Sequence, residues 1–291
     1  MKFLKIFFIN FLILALLCII FESCIFFSLK KKYPNLKYRY NISYADSIEK
    51  MFPRPPAGLE YKKAPIMILG CSYSYGLFLE EKKSPHHILS ELTQRPVFNY
   101  SLPGKGFQHS LYILQNKILD KKMSSPKYVI YFMMNDHIRR MYSPVMFSDL
   151  YGQPVYKLDK NSNLVFVSES LPWYRKAFLF YYFWNYYYFN WFQYKYSYHQ
   201  KYVLAYLRQI NYEIKKLYPD AKFVVVLYDD FNRFGIDFSP LEKDGIRVLQ
   251  TKEITGENLL NVEKYTADDN SHPNEVAWNL VLPALVKELN L

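Results

Sequence analysis

The chain has 291 residues, of which 51% are hydrophobic and 22% charged, with 9 glycines and 16 prolines; this composition folds, and it excludes disordered, collagen-like and low-complexity chains. Three cysteines, Cys18, Cys24 and Cys71, two of them in the first apolar stretch, exclude a disulfide framework, and no Cys/His cluster has zinc spacing. The net charge is +11, but the last 259 residues hold 32 basic and 25 acidic side chains, a modest +7 with no long basic run; a solvated basic surface is favoured over nucleic-acid binding.

Residues 6–29 are apolar apart from Asn10, Glu22 and a few small polar groups. A bilayer span needs about 20 apolar residues. Lys2 and Lys5 make a basic start, but no A-x-A-like cleavage site follows, and neither Cys18 nor Cys24 has a lipoprotein context. The pattern predicts an uncleaved transmembrane anchor over 6–29, within a membrane segment 1–32. A cleaved signal peptide and a buried helix are the alternatives. Charge nearly balances across the anchor, with Lys2 and Lys5 on one side and Lys30, Lys31 and Lys32 on the other. Lys37 and Arg39 tip the count towards a cytoplasmic body.

Residues 33–64 are polar and Tyr-rich, with Pro53, Pro55 and Pro56, and read as a linker and entry segment. From residue 65 short apolar runs alternate with helical stretches. Strands are predicted over 66–69, 97–100, 128–133, 223–227 and 247–249, apolar on both faces as in a parallel sheet covered on both sides. Helices are predicted over 86–92, 108–121, 201–217 and 274–290. The alternation means an α/β class, three-layer α/β/α sandwich, in which ligands bind beyond the carboxyl ends of the strands. The gap after the third strand is too long for one crossover and forms an aromatic-rich insertion at about 141–200. It holds a predicted hairpin over 154–169. A block over 171–198 follows, with 17 Trp, Tyr or Phe among 28 residues. A second span there would separate Ser72 from His272 across the membrane and is rejected. Core packing, an interfacial helix and a sugar-stacking platform stay open, with part of 173–198 helical beside the site and Trp184 or Trp191 packed inside.

The residues suited to chemistry stand at the predicted strand ends. Ser72, in Gly70-Cys71-Ser72-Tyr73-Ser74-Tyr75-Gly76, follows the first strand, where a helix start can aim backbone N–H groups at a substrate. Asp269-Asn270-Ser271-His272-Pro273 precedes the last helix. A carboxylate three residues before a histidine can hold one imidazole nitrogen and leave the other for a nucleophile. Asp268 is a possible substitute for Asp269. Gly104 follows the second strand and Asn135 closes the third, and a glycine lets backbone N–H approach a substrate. A turn glycine and a turn asparagine are the bland readings.

Ser, Gly and Asn at three successive strand ends, closed by a carboxyl-terminal D-x-x-H-P, resemble the four blocks of the SGNH (GDSL-like) hydrolase family over residues 65–291. The resemblance implies a five-stranded parallel flavodoxin-like sheet. It makes Ser72 the nucleophile and Asp269 and His272 its partners. The Ser72 N–H, Gly104 and Asn135 would then form an oxyanion hole. Cys71 stands where the family has Asp, and Met133 where it has Gly two before the Asn. The GCS-type start is similar to that of a bacterial branch. Cys71 introduces a rival thiol nucleophile, expected to point into the sheet. His137 and Arg140, in the run Asn135-Asp136-His137-Ile138-Arg139-Arg140, are candidate substrate contacts, with a surface turn as the alternative.

The resulting expectation is a membrane-anchored serine ester hydrolase, an acyl or acetyl esterase with a Ser-His-Asp triad. It needs no metal and no organic cofactor. Its substrate is a small ester or an acylated glycan, and its partners are the membrane and not nucleic acid. An O-acyltransferase acting on a cell-envelope glycan, served by a membrane acyl-donor partner, is the second reading. A catalytically inactive binding protein of the same fold is the third. The family resemblance favours an extracytoplasmic or periplasmic domain, against the slight charge count.

Overall fold

The computed structural model describes residues 2–32, 54–119, 122–141, 154–168, 196–228, 235–259 and 261–291. Residues 33–53 of the linker and entry segment expected over 33–64, and residues 171–195 of the aromatic block expected over 171–198, with Trp184 and Trp191, lie outside the described residues.

Helix α1, Lys2–Lys32, runs unbroken through the apolar stretch, as helix formers such as Leu, Ile and Ala without an internal Gly or Pro allow. Thirty-one residues extend for about 46 Å at 1.5 Å per residue. Its large apolar side chains from Ile6 to Phe21 are exposed, Phe7 at 67% among them. Over the described residues no helix is long and apolar enough to cross a membrane.

The domain is built on strands β1 (Ile66–Leu69), β2 (Val97–Asn99) and β3 (Tyr128–Met133), joined later by β6 (Lys222–Leu227) and β7 (Arg247–Gln250). All pair in parallel, in the order β2-β1-β3-β6-β7. In sheet rank that is 2-1-3-4-5, the flavodoxin-like order, whose ligand site lies where the winding reverses beside the first strand. The strands are continuous apolar runs because both faces are covered: every residue of β1 and β3 is buried.

Alternation sorts their side chains between two cores. Met67, Leu69, Val129, Tyr131, Met133, Val225 and Leu227 meet α4 (Phe107–Gln115), α6 (Tyr196–Leu217) and α7 (Ser239–Lys243). Ile66, Ile68, Ile130, Phe132, Val224 and Val226 meet α3 (Pro85–Thr93) and α10 (Glu275–Leu289). The remaining short helices are α2 (Ser72–Tyr75), α5 (Asp136–Arg140), α8 (Thr251–Thr255) and α9 (Val262–Tyr265). The expected hairpin is present as β4 (Val155–Leu158) and β5 (Leu164–Ser168), antiparallel around an Asp159 turn.

One helix is shorter than its predicted span over 108–121. It ends at Gln115, because Asn116 returns its side-chain amide to the Tyr112 carbonyl (2.9 Å) and Lys117 turns left-handed at φ 53°. The entry segment is part of the domain from its first described residues. Ala57 pairs with Val97, and Arg54 donates to the Gly76 and Leu79 carbonyls at 2.7 Å each.

Trp278 of α10 is fully buried and meets Phe132 edge-on at 5.2 Å and Tyr228 at 5.7 Å. Truncating it leaves a large void under the sheet. Trp278→Ala should cost about 3–5 kcal/mol of unfolding free energy, read from chemical denaturation of the full chain in detergent. A loss below about 1 kcal/mol would show that α10 is not a wall of this core.

Candidate active site

Three adjacent strands, β2, β1 and β3, end side by side and present the loops that the sequence singled out. Gly70 leaves β1 at φ 151°, and a Cβ there would come within 2.3 Å of Ser74 Oγ and 3.0 Å of the Phe132 carbonyl. The strand-to-helix turn therefore requires glycine before Cys71 and Ser72. Ser72 is the first residue of α2, where the opening turn of a helix leaves N–H groups without an intrahelical acceptor. Gly76 ends the helix at φ 74°, pressed against Pro85.

The last block folds into a small loop that aims a histidine back at this turn. Thr266 and Pro273 bridge, and the Ala267 amide donates to the His272 carbonyl at 2.7 Å. Asn274 fastens the loop to α10. Its amide nitrogen donates to the Lys264 and Thr266 carbonyls, and its oxygen accepts from the Ala277 N–H at 3.0 Å. His272 Nε2 lies 2.9 Å from Ser72 Oγ, across 200 residues of chain. Its Nδ1 meets Asp269 Oδ2. Burial works against the Asp269 charge. Hydrogen bonds from the Ser271 hydroxyl and from the His272 amide and ring prevail, and hold the carboxyl well below the usual carboxylate range. Asp268 is exposed, and the carboxylate on the imidazole is that of Asp269.

Cys71, the rival nucleophile, is fully buried with its sulfur 3.1 Å from Met134 Sδ, and burial pushes its thiol up. Ser72, 4% exposed, is the group that meets the imidazole.

Gly104 and Asn135 stand on the neighbouring loops. The loop after β2 is stitched to the turn that carries Ser72. Asn99 donates to the Ser74 carbonyl at 2.7 Å, Ser74 and Ser101 hydroxyls pair at 2.8 Å, and Gly104 turns left-handed at φ 74°. Asn135 lies directly after β3, and its carbonyl accepts from Ile138 N–H at the start of α5.

His137 and Arg140 correct the expectation of a surface turn. His137 is fully buried and Arg140 is 5% exposed. His137 Nδ1 pairs with Tyr131 OH at 2.8 Å, and its ring lies against Gly106. Arg140 donates to the Lys105 carbonyl at 2.7 Å and pairs with Asp136. Both are struts that hold the Gly104–Gly106 loop from below. Arg140 reaches the Lys105 carbonyl across 35 residues of chain, which no local pattern shows.

Three aromatic rings near His272 had no signal in the sequence. Tyr73 lies 5.4 Å from the imidazole, donates its hydroxyl to the Ser271 carbonyl, and meets Tyr228 edge-on. Phe78 lies 5.3 Å from the imidazole, 63% exposed and at φ 69°. A bulky side chain in that backbone region is strained, a cost of about 1–3 kcal/mol that persists where the surroundings enforce it.

No family model matches the sequence, and no curated protein matches it. Solved structures similar to the chain are esterases and lipolytic proteins of the G-D-S-L family. An acetyl xylan esterase from the rumen bacterium Butyrivibrio proteoclasticus has 10% identity over 79% of this chain and 64% of its own, with a TM-score of 0.45. A lipolytic protein of the G-D-S-L family from Veillonella parvula has 11% identity over 78% of this chain and 99% of its own, with a TM-score of 0.46. A family 3 carbohydrate esterase from Clostridium thermocellum has 10% identity over 78% and 94%, with a TM-score of 0.45. The chain thus spans just under two thirds of the length of the acetyl xylan esterase.

Proposed function

We propose that the chain is a membrane-anchored serine ester hydrolase whose reaction runs through Ser72, His272 and Asp269. The observation that carries this reading is the 2.9 Å contact between Ser72 Oγ and His272 Nε2, with Asp269 on the opposite ring nitrogen. Ser72 Oγ attacks the ester carbonyl carbon, and its proton passes to Nε2. The imidazolium returns that proton to the departing alcohol oxygen as the C–O bond breaks. A water then attacks the acyl-Ser72 carbonyl, gives its proton to Nε2, and the acid leaves as Ser72 is restored. Asp269 keeps Nδ1 protonated throughout, so that Nε2 is the free base. The Ser72 N–H, the Gly104 N–H and the Asn135 side-chain amide are the proposed donors to the oxyanion. No step calls for a metal or an organic cofactor.

A fluorophosphonate label mapped to a residue tests the reading: Ser72 is the expected site, and labelling elsewhere, or none under conditions where esters are hydrolysed, would overturn it. Asn135→Ala should lower kcat for an aryl acetate by about 10²–10³ with little change in KM, the usual cost of one oxyanion donor. An unchanged kcat would remove Asn135 from the site.

The anchor belongs to the same proposal. It is supported by the apolar run over 6–29 and by α1 leaving its large apolar side chains exposed among the described residues, surface that a bilayer would bury. The family resemblance favours a domain on the extracytoplasmic side. A reporter fused after Leu291 that is active only in the cytoplasm would reverse that orientation. Running the aryl-acetate assay with and without a glycan acceptor separates hydrolysis from acyl transfer.

A further inference from the structure

The strap between α2 and α3 carries a second cluster that the hydrolytic reading leaves unused. Glu81, in the 3₁₀ turn Glu81–Lys83, faces two adjacent histidines at the start of α3. Its Oε1 lies 3.0 Å from His86 Nε2 and 3.4 Å from His87 Nε2. One atom from each of the three residues falls within 4.8 Å of the others. We propose that Glu81, His86 and His87 form a divalent-cation site of the zinc class.

The contacts of His86 suit a bound cation. The Ser84 hydroxyl meets the Glu81 carbonyl and lies 2.9 Å from His86 Nδ1. When the hydroxyl donates to that carbonyl, its oxygen accepts from Nδ1–H, and Nε2 points a lone pair at Glu81 Oε1. Two acceptors facing each other at 3.0 Å repel unless a cation or a proton lies between them. His86 has no exposed surface. A cation satisfies both lone pairs without protonating the ring.

The spacing also fits. Tetrahedral bonds of about 2.0–2.2 Å to nitrogen and oxygen put neighbouring ligand atoms about 3.3–3.6 Å apart. The two measured separations bracket the lower end of that range and need only small shifts. The supporting contacts are those that a metal site uses: Ser84 holds His86 Nδ1, and Arg54 holds the second carboxylate oxygen at 2.7 Å, directing Oε1 inwards. The Glu81 side chain is 42% and the His87 side chain 27% exposed, so solvent reaches the side where a fourth ligand would sit. Adjacent histidines with a glutamate five residues upstream match no Cys/His zinc spacing, which is why sequence inspection passed over them.

A cation here would pin the strap beside the active site. The strap carries Phe78 against His272, and Lys83 ties it to Glu275 of α10 at 3.1 Å. The site itself does not depend on the hydrolase reading. The test uses the full chain in detergent micelles after chelator treatment, titrated with Zn²⁺ against a chromophoric chelator and separately with Co²⁺. One Zn²⁺ per chain is expected, with a rise in melting temperature, and Co²⁺ should give the intense visible bands of four-coordinate cobalt. His87→Asn and Glu81→Gln should each weaken Zn²⁺ by at least about 100-fold and abolish the bands. Ser84→Ala should weaken it by about 10–100-fold, as loss of an outer-shell partner does. Melting without metal checks that each variant folds. If Glu81→Gln fails that check because Arg54 loses its partner, the part-exposed His87→Asn decides alone. Wild-type protein that binds no Zn²⁺, or binds it as tightly as folded His87→Asn does, would overturn the proposal.

Discussion

Ser72→Ala is expected to lower kcat for aryl acetates by roughly 10⁴–10⁶-fold and to abolish fluorophosphonate labelling, while the melting temperature stays near that of the wild type. The magnitude follows from what the hydroxyl does. It is both the attacking atom and the site of the covalent intermediate, so its removal leaves only what binding and oxyanion donors supply. Ser72 is 4% exposed but small, and its removal opens a void of one oxygen atom. His272→Ala should lose nearly as much, because Oγ then has no base 2.9 Å away. The double variant should be little worse than either single one, since the two groups act as a unit. Additive losses would mean that they work separately. A Ser72→Ala protein that keeps more than about a tenth of the activity would sink the proposed mechanism.

Much of this arrangement was legible in the chain because it depends on local pattern. A strand covered on both faces must be apolar throughout, so β1 and β3 were read at their observed bounds, Ile66–Leu69 and Tyr128–Met133. The D-x-x-H-P spacing alone fits Asp269 onto the far side of the His272 ring. The fit of Gly70 into its turn is only partly local, since Ser74 is four residues on but the Phe132 carbonyl that also leaves no room for a Cβ belongs to β3. What sequence inspection missed depends on distant partners. Arg140 looks like part of a surface turn until the Lys105 carbonyl, 35 residues upstream, satisfies it in the interior. Phe78 shows neither its left-handed backbone nor its place over His272. Arg54, 27 residues upstream, bonds the second carboxylate oxygen of Glu81, a partner that the local run does not show.

Asp269→Asn separates orientation from simple charge, and its expected effect is about a 10⁴-fold loss in kcat with the fold intact. The asparagine oxygen can keep both backbone bonds that Asp269 Oδ1 now accepts, from the Ser271 and His272 N–H groups. Its amide nitrogen then faces His272 Nδ1 as a donor. The ring must answer by accepting at Nδ1, which moves its proton to Nε2 and leaves Ser72 without a base. Asp268→Asn is the control. That side chain is exposed and the carboxylate on the ring is that of Asp269, so activity should be unchanged. The two variants also differ in their stability against pH. Because the folded Asp269 carboxyl is held low, its contribution to stability is complete above the ordinary aspartate value of about 4 and fades as pH falls through the lowered one. Asp269→Asn should therefore melt below the wild type near neutrality, by a small margin for a group this exposed, and the two curves should converge in acid. Equal melting at every pH together with retained activity would show that the carboxylate neither orients His272 nor stabilises its loop. Lost activity in Asp268→Asn would move the orienting role one residue upstream.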